Sequence, residues 1–235
     1  MKADRANVER WPEQTPRAVL LDFGGTLDAP GVPWKERVLR LYRDEGVDVA
    51  AERFDPIFYR ADDALVGTVP VACTLEDTVR RLVAGIDPAL GTDAGPRVAK
   101  RFLDDTVANV ERHLPLLRAL RGRYRLGIVS NFYGNLAAVC ADLGLAPLFD
   151  VLVDSTRVGV SKPDARIFRH GLDALEVAAA EAVFVGDSLP RDMGGARALG
   201  MPHIWLREAG GPAAAACCPH DPVIRSLEEL QGLLR

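Results

Sequence analysis

The chain has 235 residues, 48% hydrophobic and 26% charged, with a formal net charge of −4, enough to bury a full core in one large domain or one domain with a modest insert. No lysine or arginine run alternates with aromatics, which argues against a nucleic-acid binder. No apolar run approaches the ~18 residues of a membrane span, and the charged stretch MKADRANVERWPEQTP lacks the apolar centre of a secretory signal. The expectation is a soluble cytoplasmic protein, monomer or homodimer, whose partners are small molecules.

Residues 1–16 read as a polar lead-in, with Pro12 and Pro16 delaying regular structure. A strand then begins near Arg17 and runs through Val19-Leu20-Leu21 to Asp22, where Gly24-Gly25 turns the backbone. Ala29-Pro-Gly-Val-Pro33 breaks the pattern, and helical spacing replaces it. Trp34, Val38, Leu41 and Tyr42 make one apolar face; Phe54, Ile57, Phe58 and Leu65 a second; Leu75, Val79, Leu82 and Val83 a third. A fourth helix is expected over 96–120, broken near His113-Leu-Pro115.

After this helical block, strands and helices alternate. Strands are expected over 125–129, 149–153, 182–185 and 203–206, and helices over 134–143, 164–175, 190–199 and 226–234. That order predicts an α/β fold: a Rossmann-like parallel sheet core, residues 17–29 and 110–235, carrying a helical cap, residues 30–109, inserted after the first strand. Inserted there, the cap lies over the carboxyl edge of the sheet, where such folds keep their ligands.

The residues that end each strand carry the functional signal. The first strand stops at Asp22, the second at Ser130-Asn131, and the third is followed by Ser161-Lys162-Pro163-Asp164. The fourth stops at Gly186-Asp187, with Asp192 five residues later. In a parallel sheet these ends are neighbours, so carboxylates, a hydroxyl and an amine converge on one pocket. Hard oxygen donors suit Mg²⁺. An amine and a hydroxyl suit the charge that spreads over a phosphoryl group in transfer, and an aspartate beside them can serve as nucleophile.

DFGGTL at 22–27, SN at 130–131, SKPD at 161–164 and GDSLPRD at 186–192 together resemble the haloacid dehalogenase superfamily of hydrolases, in its phosphatase-like group with a helical cap after the first motif. The resemblance implies that Asp22 is the nucleophile and a metal ligand and that Gly24 supplies a metal-binding carbonyl. Asp187 and Asp192 would complete a Mg²⁺ site. Ser130 and Lys162 would act in catalysis, and Gly25, Asn131 and Lys162 would bind the phosphorylated small-molecule substrate.

One position departs from that pattern. Phosphatases of the family carry a second aspartate two residues after the nucleophile, and here that residue is Gly24. A carbonyl remains for a metal, but the proton donor is missing, and general acid–base catalysis is worth ~10²- to 10⁴-fold. Weak turnover of alkyl phosphates is therefore expected, unless Asp28, Asp62 or Asp63 replaces the acid. Alternatives are a phosphonate-type or other C–X bond hydrolase, with Lys35 as a Schiff-base lysine in the first case, or a catalytically weak ligand- or partner-binding protein of the same fold.

Other motifs carry less. Asp22-Phe23-Gly24 spells a kinase triplet without its companions, and no P-loop or dinucleotide fingerprint is present. Cys73, Cys140, Cys217 and Cys218 lack metal spacing and read as ordinary thiols, Cys217-Cys218-Pro219-His220 as a loop.

Overall fold

A computed structural model describes Pro12, residues 15–211 and residues 221–234. The rest of the lead-in, the Ala213–Ala216 segment and the Cys217-Cys218-Pro219-His220 stretch lie outside the described residues. Six parallel strands form one sheet in the order β3-β2-β1-β4-β5-β6. They are β1 Ala18–Leu21, β2 Arg125–Ser130, β3 Val151–Asp154, β4 Ala182–Gly186, β5 His203–Leu206 and β6 Val223–Ile224. The chain builds outward from β1 to β3 on one side, then returns to lay β4 against the other side of β1. The order therefore reverses at β1, and the crevice of such a sheet opens at the carboxyl ends of β1 and β4. Asp22 and Asp187 are the residues that follow those two strands.

All four β1 residues are fully buried because both faces of the sheet are covered. Val19 and Leu21 point into one core with Ile128, Val183, Val185 and Ile204. Ala18 and Leu20 point into the other with Phe168, Leu172, Phe184 and Trp205. This is the period-2 geometry of a strand buried on both sides, and it explains why the segment reads as a continuous apolar run.

Four helices and no strand lie between β1 and β2: α1 Trp34–Asp44, α2 Ala51–Leu65, α3 Leu75–Leu90 and α4 Gly95–Arg121. Their expected apolar faces are buried, apart from half-buried Ile57, and join the sheet-face core that holds Val19 and Leu21. Thr74 caps α3 by accepting from Asp77 N–H, and Gly91 closes it at φ 68°.

The break expected near Pro115 does not occur, and α4 runs through it. An internal proline costs a helix roughly 3 kcal/mol. Leu116, Leu117 and Leu120 just beyond are all buried, each worth about 1.5–3 kcal/mol, so packing outweighs the lost hydrogen bond. The helix consequently crosses position 109/110, where the sequence reading divides core from insert.

After β2 the chain forms α5 Leu136–Asp142, α6 Ser155–Val158, α7 Ala165–Ala174, α8 Gly194–Ala198 and α9 Leu230–Leu233. Three features differ from expectation. The third strand is shifted to Val151–Asp154 because Ala146–Leu148 winds into a helical turn; α6 is one turn capped by Asp154; and β6 has only two residues. Such short pieces carry no periodicity to read. Among the described residues no helix is long and apolar enough to cross a membrane.

Candidate active site

Asp22 begins the site. Its N–H donates to Val185 carbonyl at 2.9 Å, tying it to the adjacent strand. Its Oδ1 accepts from Phe23 N–H at 2.7 Å, Ser130 Oγ at 2.7 Å and Lys162 Nζ at 2.8 Å. Among the described residues none donates to Oδ2. Three donors thus fix the carboxylate through one oxygen, and the residue lines a cleft.

Lys162 is 4% exposed and reaches Asp192 Oδ1 at 2.6 Å as well as Asp22. Burial opposes its charge, but Asp192 and Asp22 outweigh burial and hold its pKa above the ordinary lysine value. Its main chain is clamped by Asn131, which accepts from Lys162 N–H at 2.7 Å and donates to Lys162 carbonyl at 3.1 Å. The Asn131 amide therefore positions the lysine.

Asp187 and Asp192 approach because glycine leaves room. A Cβ on Gly25, whose φ is 84°, would run into the Asp187 carboxylate, and one on Gly186 would run into that of Asp192. The Gly25 N–H donates to Asp28 Oδ1 at 2.6 Å. Asp192 is fully buried and accepts from Ser188 N–H at 2.9 Å. Among the described residues the Asp187 carboxylate accepts a side-chain hydrogen bond from Thr26 Oγ1 alone, at 3.3 Å.

Burial, then the charges of Asp192 and Asp22, push the Asp187 carboxyl well above the usual range, and burial raises that of Asp192. Asp22, Asp187 and Asp192 can each place an oxygen within 4.8 Å of the others. Three carboxylates against the Lys162 ammonium and the nearby Arg191 guanidinium leave an excess of negative charge in a low-dielectric pocket. That donor set fits a hard divalent cation such as Mg²⁺.

The cleft at this cluster has a cavity volume of about 80 Å³, small beside a typical ligand pocket. Asp22, Gly24, Ser130, Asn131 and Lys162 line it from the sheet edge. Pro33, Trp34, Phe132, Tyr133 and Arg191 complete the wall, and sequence reasoning did not single these out. Phe132-Tyr133 directly follow Ser130-Asn131, and Arg191 lies inside GDSLPRD, so adjacency to a motif was the available signal. Arg191 Nε donates to Ser188 Oγ at 3.3 Å. Burial works against its charge, yet Asp22, Asp192 and Asp187 raise its pKa.

Gly24 has ordinary backbone angles, φ −71° and ψ 120°, and a Cβ there would sit 3.2 Å from Trp34 Nε1. The indole stands where a second aspartate would project. Trp34 Nε1 donates to Asp28 Oδ2 at 2.6 Å, and Arg37 Nη1 reaches the same oxygen at 2.8 Å. Arg37 is held in turn by Thr106 Oγ1 at 2.9 Å and stacks 3.8 Å from the Phe102 ring centroid. Asp28 is fully buried and accepts from three donors, so it anchors the turn and does not replace the acid. Asp63 is exposed. Lys35 is paired with Asp55 at 2.8 Å and Glu36 at 3.3 Å, which removes support for a Schiff-base lysine.

The parallel sheet with its switch point at β1, the four ordered motifs and the carboxylate cluster define a Rossmann-like hydrolase. The haloacid dehalogenase-like hydrolase family model matches residues 16–200, and the chain belongs to this family of hydrolases. A plasmid-encoded phosphoglycolate phosphatase of Cupriavidus necator is 33% identical over 230 residues, 92% of each chain. Among solved structures, a phosphatase of this superfamily from Thermococcus onnurineus superposes with a TM-score of 0.55 at 25% identity, covering 93% of this chain and 97% of the other. A 2-haloacid dehalogenase from Pseudomonas syringae gives 0.52 at 26%, covering 93% and 98%.

Proposed function

We propose that this hydrolase acts on a phosphorylated small molecule through an aspartyl-phosphate on Asp22. The observation that carries the reading is the polarisation of Asp22: Oδ1 is fixed by three donors while none of the described residues donates to Oδ2, and Asp22 lines one cleft with Lys162 and Ser130. Oδ2 attacks phosphorus, the bond to the leaving oxygen breaks, and water later opens the acyl phosphate. Lys162, Ser130 Oγ and Arg191 balance the charge on the phosphoryl oxygens. A Mg²⁺ ion held by Asp22, Asp187, Asp192 and the Gly24 carbonyl would supply further positive charge there when bound. The helices between β1 and β2 act as a cap, since Pro33 and Trp34 close the cleft from that side. The Cupriavidus necator relative supports a phosphate ester as substrate.

A second reading, hydrolysis of a carbon–halogen bond, draws on Gly24, because a departing halide needs no proton, and on the dehalogenase likeness. The excess of carboxylates favours the phosphatase. The test is a substrate panel with Mg²⁺, comparing the unaltered enzyme with Asp22→Asn on acyl phosphates, phosphate monoesters, phosphonates and 2-chloro acids. Phosphate release that depends on Asp22 is expected. Halide release without phosphate release would replace the phosphatase reading by the second, and no Asp22-dependent turnover of any of them would end both.

A further inference from the structure

With Gly24 in place of an acid and Asp28 tied to three donors, the leaving oxygen needs a proton from elsewhere. Next to Trp34 in the cleft stands Tyr133, its ring centroid 6.1 Å from that of the indole. Tyr133 is 7% exposed, lines the cleft that holds Asp22, and donates its hydroxyl to Asp62 Oδ1 at 2.5 Å. Asp62 belongs to α2, so the contact joins the insert to the loop after β2. That loop is held on both sides of Tyr133: Phe132 N–H donates to Ser155 Oγ at 3.0 Å, and Gly134 and Leu136 N–H groups donate to Asp154 at 2.9 Å and 3.1 Å. A phenol fixed this way in a catalytic cleft, backed by a half-buried carboxyl, has the form of a proton relay.

We infer that Tyr133 donates the proton to the leaving oxygen and that Asp62 positions and reloads Tyr133, replacing the acid missing at Gly24. The inference rests on the phosphatase reading. As the Asp22 Oδ2–phosphorus bond forms and the phosphorus–oxygen bond breaks, the leaving oxygen keeps the electron pair and takes the Tyr133 proton. In the loaded state the hydrogen bond between the two runs the other way, from the protonated Asp62 carboxyl to the Tyr133 oxygen, so that the Tyr133 oxygen takes the Asp62 proton as its own leaves. When water opens the acyl phosphate, its proton returns through Tyr133 to the Asp62 carboxylate. The charged groups around the pair are Asp63 on α2, Arg191 from the loop after β4, and Asp28 on the Tyr133 side. Burial, the largest influence, raises the Asp62 carboxyl above the usual range, helped by Asp63 and opposed by the Tyr133 hydrogen bond and Arg191. Tyr133 is raised well above ordinary tyrosine by burial and Asp62, so it stays a phenol and passes protons without ionising.

The experiment measures, on the same Mg²⁺-loaded preparation, the ratio of turnover of 2-phosphoglycolate to turnover of acetyl phosphate, whose leaving group needs little protonation. The ratio does not depend on the fraction of folded enzyme, so a poorly folding variant remains readable. In Tyr133→Phe and Asp62→Asn the ratio should fall about 10²-fold, and Asp62→Glu should restore part of it. The alkaline fall in kcat/KM for phosphoglycolate should disappear in Asp62→Asn. An unchanged ratio in both variants overturns the inference. So does an unaltered enzyme that turns over acetyl phosphate through Asp22 but no alkyl phosphate, and that result leaves the phosphatase reading standing. Loss of Asp22-dependent turnover on acetyl phosphate as well overturns both.

Discussion

One wall of the cleft is the carboxyl edge of the sheet, where Asp22, Ser130, Lys162, Asp187 and Asp192 meet because parallel strands end side by side. The opposite wall is Pro33, Trp34 and Tyr133, backed by Asp28, Arg37 and Asp62. The first wall carries an excess of carboxylate charge that a divalent cation would balance. The second is built from aromatic rings and hydrogen bonds that are satisfied already. By our proposal, chemistry is concentrated on the sheet edge, while Pro33 and Trp34 shape the cleft and Tyr133, in the loop after β2, supplies the proton with Asp62 behind it.

The sharpest way to break that division is to neutralise the nucleophile. Asp22→Asn should lower turnover by about 10⁴-fold, the scale on which removing a catalytic nucleophile acts, with little change in thermal unfolding; steady-state kinetics and calorimetry on one preparation check both. Retention of activity would move the chemistry off the sheet edge. Next in size is Lys162→Met, which leaves Asp22 and Asp192 facing each other without their shared ammonium. Breaking a buried pair from one side costs about 3–5 kcal/mol, and denaturant unfolding should show a loss of that order in the absence of divalent cations.

Asp187→Asn should act in the opposite direction on stability. Its folded pKa lies above its unfolded value, so between the two the folded state holds a proton that the unfolded state has released. Stability therefore falls as pH rises through that window. Without divalent cations, the melting temperature should decline as pH rises above the ordinary carboxylate range, and Asp187→Asn should flatten the decline. Mg²⁺ should raise the melting temperature of the unaltered protein, by mass action on the folded state, and not that of Asp187→Asn. An identical Mg²⁺ shift in both would remove Asp187 from the metal site.

The two walls also differ in how far the sequence reveals them. Strand ends are readable because a short apolar run stops at a polar residue, and four such ends in one parallel sheet must be neighbours. Asp22, Ser130 and Asp187 lie at or next to such ends; Lys162 and Asp192 lie further into the loops, and it is the four motifs together that single them out. The role of Gly25 is not readable in this way, because what it accommodates is a carboxylate 162 positions away in the chain. Trp34 reads as part of an apolar helix face and does pack as core; that it also lines the cleft, beside Tyr133 from the loop after β2, depends on how α1 and that loop meet the sheet edge, which no local pattern encodes. Asp28 looks like a spare acid next to the motif and is a fully buried anchor, because Arg37 lies nine residues further along the chain on the first helix and turns back onto it.

The smallest expected effect concerns the seam between the walls. The indole of Trp34 is fixed by Asp28 and packs edge-on against Phe102, with ring centroids 5.0 Å apart, so it has little freedom to yield to a Cβ at Gly24. Gly24→Ala should cost about 1–3 kcal/mol by overpacking, although the backbone angles there suit any residue. Gly24→Asp alone should then fail to raise alkyl phosphatase activity, since the new carboxylate meets the indole before it meets a substrate. Combined with Trp34→Val, which clears that space, the same aspartate should raise the ratio of phosphoglycolate to acetyl phosphate turnover and make it insensitive to Tyr133→Phe. A rise in the single variant would mean that Trp34 moves aside easily and that the second wall is less fixed than its hydrogen bonds imply.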